Sequence, residues 1–149
     1  MRRFVIMLAT WGGTGYSPVA SGTVGTVAAI PFYLLLARLQ LPLYLLVTLL
    51  FSSFACWVSG EAERIFAEKD SGKIVIDEVA GYLVTMIAVP FSWQGVVAGF
   101  FLFRLFDITK PFPARYIDRN LKNGCGVVLD DLVAGVYACL ALHLLLRFL

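Results

Sequence analysis

Charge is scarce in this sequence. Only 15% of its residues are Asp, Glu, Lys or Arg, against about 25% in soluble proteins. Hydrophobic residues make up 60%, and the mean hydropathy is +0.84. A soluble domain of 149 residues could not bury so much apolar surface, so the composition predicts an integral membrane protein. The formal net charge of +2 leaves no basic field for nucleic acid. Cysteine is equally sparse: Cys56, Cys125 and Cys139 are odd in number and unpaired in spacing, which excludes a disulfide framework and a zinc motif. Cys56 and Cys139 lie in apolar runs and read as packing residues. The one histidine, His143, sits in the C-terminal apolar run and reads the same way. Nothing in the chain points to a protein partner.

Four apolar stretches are present: Val24–Ala37, Pro42–Ser59, Val79–Phe103 and Leu132–Leu146. Lipid leaves free backbone groups unsatisfied, so helices are the spanning structure available to them. Met1-Arg-Arg followed by Phe4–Ala9 faintly resembles a signal peptide, but Trp11-Gly-Gly-Thr-Gly replaces a small-residue cleavage site, and no cleavage is expected. Val79–Phe103 is long enough for one span of about 20 residues. It also contains Pro90-Phe-Ser-Trp93, which suits a helix stop and restart. The expected fold is therefore all-α: a single membrane-embedded domain over residues 1–149, a polytopic bundle of about five short helices near 22–37, 42–60, 78–89, 93–106 and 131–148. The third and fourth would form a re-entrant or hairpin pair around Pro90.

The carboxylates stand where the apolar runs begin and end. Asp77-Glu78 precedes one run, Asp107 follows it, and Asp130-Asp131 precedes the last. Ionisable groups at a bilayer margin are costly unless paired, hydrated or metal-bound. Helix capping accounts for one acid at each helix start. It does not account for doubled acids, nor for Asp107 at a helix C-terminus, where a carboxylate is disfavoured. A carboxylate cluster without His or Cys is a hard oxygen site and selects Mg²⁺. Asp77, Glu78, Asp107, Asp130 and Asp131 are the expected ligands. The cations Arg104, Lys110 and Arg115 suit a phosphate group beside such an ion, while Arg119 serves equally as a membrane-surface anchor.

Gly12–Thr23 adds small residues, hydroxyls and backbone amides just before a helix, an arrangement that holds phosphate as well as it makes a tight turn. It lacks the Gly-Lys-Ser/Thr of a Walker loop. No cysteine is followed by arginine at phosphocysteine spacing, no Asp-x-Asp occurs, and a single histidine cannot support a two-histidine mechanism. Metal-assisted attack by water remains.

Three blocks resemble the phosphatidylglycerophosphatase A family from end to end. They are Gly15-Tyr-Ser-Pro-Val-Ala-Ser-Gly-Thr-Val-Gly-Thr with Pro31, then Ile76-Asp77-Glu78-Val-Ala-Gly81, then Phe103-Arg104-Leu-Phe-Asp107-Ile-Thr-Lys110-Pro111-Phe-Pro113 with Asp118-Arg119-Asn, Gly124-Cys-Gly126 and Asp130-Asp131-Leu-Val-Ala134-Gly135. The resemblance implies Mg²⁺-dependent removal of the phosphate monoester from the phospholipid phosphatidylglycerophosphate, in a bacterial inner membrane. One departure is visible: the family usually reads Ala-Pro-Gly-Thr where this chain has Ala20-Ser21-Gly22-Thr23.

The expectation is then a lipid phosphatase. The acids hold one or two Mg²⁺, Arg104, Lys110 and Arg115 hold the phosphate, and Tyr16, Ser17, Ser21 and Thr23 close over it. Asp118 is a supporting acid or a base. An alcohol phosphotransferase lacks its Asp-Gly and Ala-Arg spacing here; a cation transporter or channel subunit would place acids mid-span. The loop cations Arg104, Lys110, Arg115, Arg119 and Lys122, with Arg64, Lys69 and Lys73, outnumber Arg38 and Arg147 on the other side. The positive-inside bias places the site in the cytoplasm.

Overall fold

A computed structural model describes residues 1–149. It is all-helical: α1 (Arg2–Ala9), a 3₁₀ turn (Thr14–Tyr16), α2 (Ser21–Leu36), α3 (Leu41–Phe66), α4 (Ile76–Thr85), α5 (Trp93–Thr109), α6 (Ala114–Asn120) and α7 (Gly124–Leu145). The five expected helices correspond to α2, α3, α4, α5 and α7. The count of five is corrected to seven, because α1 and α6 are too short to register as apolar runs. The expected bounds also move. α3 runs on through Glu61 and Arg64, and α7 begins at Gly124 instead of near residue 131.

α3 and α7 are long and apolar enough to cross a membrane. The outward flank of α3 exposes Leu45, Leu46, Leu49, Leu50, Phe54 and Trp57. So large an uncovered apolar face suits lipid and not water.

α4 is the centre of the fold. Eight of its ten residues are buried, Asp77 among them. It is enclosed by α2, α3, α5 and α7. Close approach of α7 depends on paired glycines: a Cβ at Gly135 would strike the Gly81 carbonyl, and a Cβ at Gly81 would meet Phe103 and the Asp131 carbonyl. The same device recurs where Gly124 of α7 meets the backbone of Gly60 in α3. Small residues let helix backbones pack without a hydrophobic driving force between them.

The chain turns between α4 and α5, as Pro90 suggested. Ala88 takes a left-handed φ of 56°, and the Ser92 side chain caps α5 by accepting from the Gly95 N–H at 3.0 Å. This turn lies beside the Leu36–Leu41 turn, the two sharing a small cavity lined by Tyr33, Leu39, Leu41, Met86 and Val89. Both short turns therefore occupy one end of the molecule. Asp77, Asp107 and the start of α7 occupy the other.

Candidate active site

Three elements deliver these acids to one end of the fold. The first turn of α4 carries Asp77 and Glu78, the last turn of α5 carries Asp107, and the second turn of α7 carries Asp130 and Asp131. The apolar pattern had Asp130 and Asp131 at the start of a helix, and the structure corrects this: they lie inside α7. Asn123 caps α7 instead, its side chain accepting from the Gly126 N–H at 2.8 Å. Helix capping therefore gives no account of either aspartate.

Ligand oxygens of Asp77, Glu78 and Asp131 all lie within 4.8 Å of one another. Asp107 is close enough for its charge to act on all three. The structure thus brings together the core of the expected set but divides its outer members between cations. Arg104 Nη1 donates to Asp107 Oδ2 at 2.6 Å and stands 4.0 Å from Glu78 Oε1. Lys110 Nζ reaches Asp130 and Asp118, each at 2.8 Å.

These six carboxylates and their two paired cations carry a formal −4 (2 − 6), much of it buried. Burial and like charge both disfavour such a state unless a counter-charge is present. Polar atoms are also left over. Asp77 Oδ1, Glu78 Oε2, Asp130 Oδ1, Asp131 Oδ2 and Arg104 Nε are buried without a hydrogen-bond partner. Buried polar atoms are normally paired, so unpaired oxygens converging from three carboxylates fit a hard divalent cation, which takes oxygen ligands.

Outside the buried centre, Lys110 sits at the C-terminus of α5 with a left-handed φ of 44°. Burial opposes its charge, but the hydrogen bonds it donates to Asp118 and Asp130 raise its pKa above the ordinary lysine value. Burial likewise opposes ionisation of Asp118, yet the Lys110 hydrogen bond and charge outweigh it and hold the carboxyl below its usual range. Asp118 is thereby a fixed anion that steadies Lys110.

The remaining candidates separate. Ser17 donates to the Val19 carbonyl at 2.8 Å and Ser21 to the Gly72 carbonyl at 2.7 Å, so both hydroxyls serve the backbone. Thr23 lies in the first turns of α2. Arg115 is exposed and donates to the Thr109 carbonyl at 3.2 Å. One contact was missed at the level of sequence: Gly22 abuts Glu78 and Arg104, and a Cβ there would strike the Glu78 carboxylate. Its position after Ser21, at the head of an apolar run, was the available signal.

The fold and this end of it define a class: an all-helical protein with lipid-compatible flanks and a buried acidic centre bounded by an arginine and a lysine. Residues 7–146 match the family described as Phosphatidylglycerophosphatase A. A protein of that name from Escherichia coli K12 is 42% identical over 131 residues, covering 87% of this chain and 76% of its own. Another of that name from Haemophilus influenzae is 40% identical, covering 89% and 82%. A Bacteroides thetaiotaomicron protein that carries a provisional phosphatidylinositol-3-phosphatase name is 38% identical, covering 89% and 87%. No solved structure matches the chain. The chain belongs to the phosphatidylglycerophosphatase A family.

Proposed function

We propose that the protein hydrolyses the phosphate monoester of phosphatidylglycerophosphate, giving phosphatidylglycerol and inorganic phosphate, at a Mg²⁺ centre held by Asp77, Glu78 and Asp131. The observation that carries this is the meeting of three carboxylates with unpaired buried oxygens in a chain of this family. When bound, Mg²⁺ supplies charge neutralisation for a reacting phosphoryl group and acidifies water. Asp107 and Asp130 complete the anionic surround.

The chain's own groups supply the rest. Arg104 is held by Asp107 and keeps an unpartnered Nε–H for a phosphate oxygen. Lys110 is kept protonated by Asp118 and Asp130 and presents a second fixed cation. Gly22 leaves room against Glu78 and brings the start of α2 to the phosphate, where unpaired helix N–H groups favour an anion. In the reaction, water adds to phosphorus, the P–O bond to the glycerol carbon chain breaks, and the glycerol oxygen leaves with a proton. The site faces the cytoplasm of a bacterial inner membrane, on the side of the greater Lys and Arg count. The provisional name of the Bacteroides relative would give a different headgroup, but it too describes a lipid with a phosphodiester as well as a monoester.

Two experiments test the reading. Protein in detergent micelles is given phosphatidylglycerophosphate, and phosphate release is followed as Mg²⁺ is added and chelated. Release that rises with Mg²⁺ and falls by about 10²–10³ in Asp77→Asn is expected, the magnitude of losing one major electrostatic contributor. Absence of release by the unmutated protein, or wild-type rates in Asp77→Asn, refutes it. For orientation, a cysteine replacing Lys122 in a cysteine-free background should resist an impermeant thiol reagent in intact cells. Its labelling there would reverse the topology.

A further inference from the structure

A second concave site lies against the acidic centre. It has a volume of about 460 Å³ and is bounded by the end of α5, the Pro111 loop and α6, with Lys110, Phe112, Arg115, Tyr116 and Arg119 in its wall. Lys110 is common to both sites: the residue whose ammonium group bonds Asp130 also lines this cavity. Asp130 in turn adjoins Asp131 of the centre.

The cavity is cationic, and its charge is not spent inside the protein. Arg115 and Arg119 stand one turn apart on the same face of α6. The molecule's ion pairs join Arg64, Arg104 and Lys110 to acids, and neither Arg115 nor Arg119 takes part in one. Arg115 gives one N–H to the Thr109 carbonyl, which fixes its guanidinium and leaves the rest of the fork open. Two open forks in a concavity match the oxygens of a phosphate group. At the rim, Phe112 and Tyr116 are 76% and 60% exposed, with ring centroids 6.4 Å apart. Exposed aromatic rings belong at a membrane–water interface. The rim is anchored, since the Tyr137 hydroxyl donates to the Phe112 carbonyl at 2.6 Å and its ring stacks on Phe106.

We infer that this cavity is the subsite for the phosphodiester of the lipid substrate, gripped by Arg115 and Arg119 while the monoester lies at the acidic centre. The inference rests on the lipid-phosphatase reading above and adds a specificity site to it. A substrate with two phosphates joined by a short polyol needs two anion sites with a common wall, and Lys110 is that wall. Arg115 moves from the cleaved phosphate, where the sequence had put it, to the one that stays.

The double variant Arg115→Gln/Arg119→Gln tests this with two lipids of equal chain length in neutral detergent. Phosphatidylglycerophosphate carries both phosphates; phosphatidic acid carries the monoester and no diester. The ratio of kcat/KM between them should fall about tenfold or more in the variant, through KM. Equal loss on both lipids would mark a general membrane anchor and overturn the inference, as would an unchanged ratio. Binding is measured alongside by calorimetry, with short-chain phosphatidylglycerol as the diester and inorganic phosphate as the free anion. Weaker binding of the lipid alone is expected in the variant. Equal lipid binding in both proteins overturns the inference, and so does a parallel loss of inorganic phosphate binding, which would make this a free-anion site. If the unmutated protein hydrolyses neither lipid, the activity reading fails, and the binding arm still decides the subsite.

Discussion

The two ends of this molecule treat buried polarity in opposite ways. At the end holding the short turns, free groups are matched within the protein. The Tyr44 hydroxyl donates to the Leu83 carbonyl at 2.6 Å, and His143 Nε2 lies 2.9 Å from the Ile87 carbonyl, with Cys139 Sγ at 3.6 Å from the same oxygen. At the other end, five of the seven buried unpaired side-chain atoms belong to Asp77, Glu78, Arg104, Asp130 and Asp131. The first pattern is how a helical protein closes carbonyls freed by a turn in an apolar environment. The second is stable only with something added, since an unpaired buried charge costs several kcal/mol. The contrast marks the second end as the candidate site on buried polarity alone.

The largest effect expected is on the unmatched end. Asp131→Asn should remove Mg²⁺-induced stabilisation along with turnover. Thermal unfolding of the unmutated protein should rise with Mg²⁺, because a ligand that binds only the folded state stabilises it by mass action. In Asp131→Asn that rise should vanish, while the metal-free melting temperature holds or increases as like-charge repulsion is relieved. A variant that loses metal-free stability would show Asp131 to be a structural partner and would erase the contrast between the ends.

The next effect lies between the ends. Gly81→Ala should destabilise by about 1–3 kcal/mol, the usual cost of overpacking, since its Cβ would meet Phe103 and the Asp131 carbonyl. Denaturant unfolding in detergent measures it. Because that contact carries the backbone of Asp131, turnover per folded molecule should also fall. Loss of stability with full specific activity would show the acidic centre to be independent of the α4–α7 crossing.

Much of this was legible in the sequence, for reasons that differ by residue. The hairpin was legible because Pro90 breaks a helix and because Asp77 and Asp107 could share a site only if the chain turned back. Asp77 and Glu78 were legible as a pair at a helix start, where scarcity of charge made them conspicuous. The start of α7 was not, since Gly124-Cys-Gly126 reads as loop and the Asn123 cap carries weight only once the helix is known. Nor was the division of labour among the cations. Lys110 is joined to Asp130 across 20 residues, and no local pattern encodes that pairing. Arg115 belongs to the same basic stretch but sits on α6 and donates to the Thr109 carbonyl instead. Residue type pointed to a chemistry, while the partners came from tertiary packing.

The smallest effect should be at the matched end, and its smallness is the point. His143 was read as a packing residue, and its ring lies against Ile87 at the α4–α5 turn, away from every acid of the centre. Replacing it with Leu keeps an apolar body and leaves one backbone oxygen short of a partner. Cys139 remains beside that oxygen as a weak donor, so the cost should be about 1 kcal/mol, near the net worth of one hydrogen bond. Turnover and Mg²⁺ dependence should be unchanged, as measured by phosphate release in the same micelles. A loss of turnover beyond the fraction unfolded would mean that the α4–α5 turn governs the placement of Asp77 and Asp107, through the two helices it joins. In that case the two ends would be one mechanical unit, and the hairpin would be part of the catalytic apparatus as well as its scaffold.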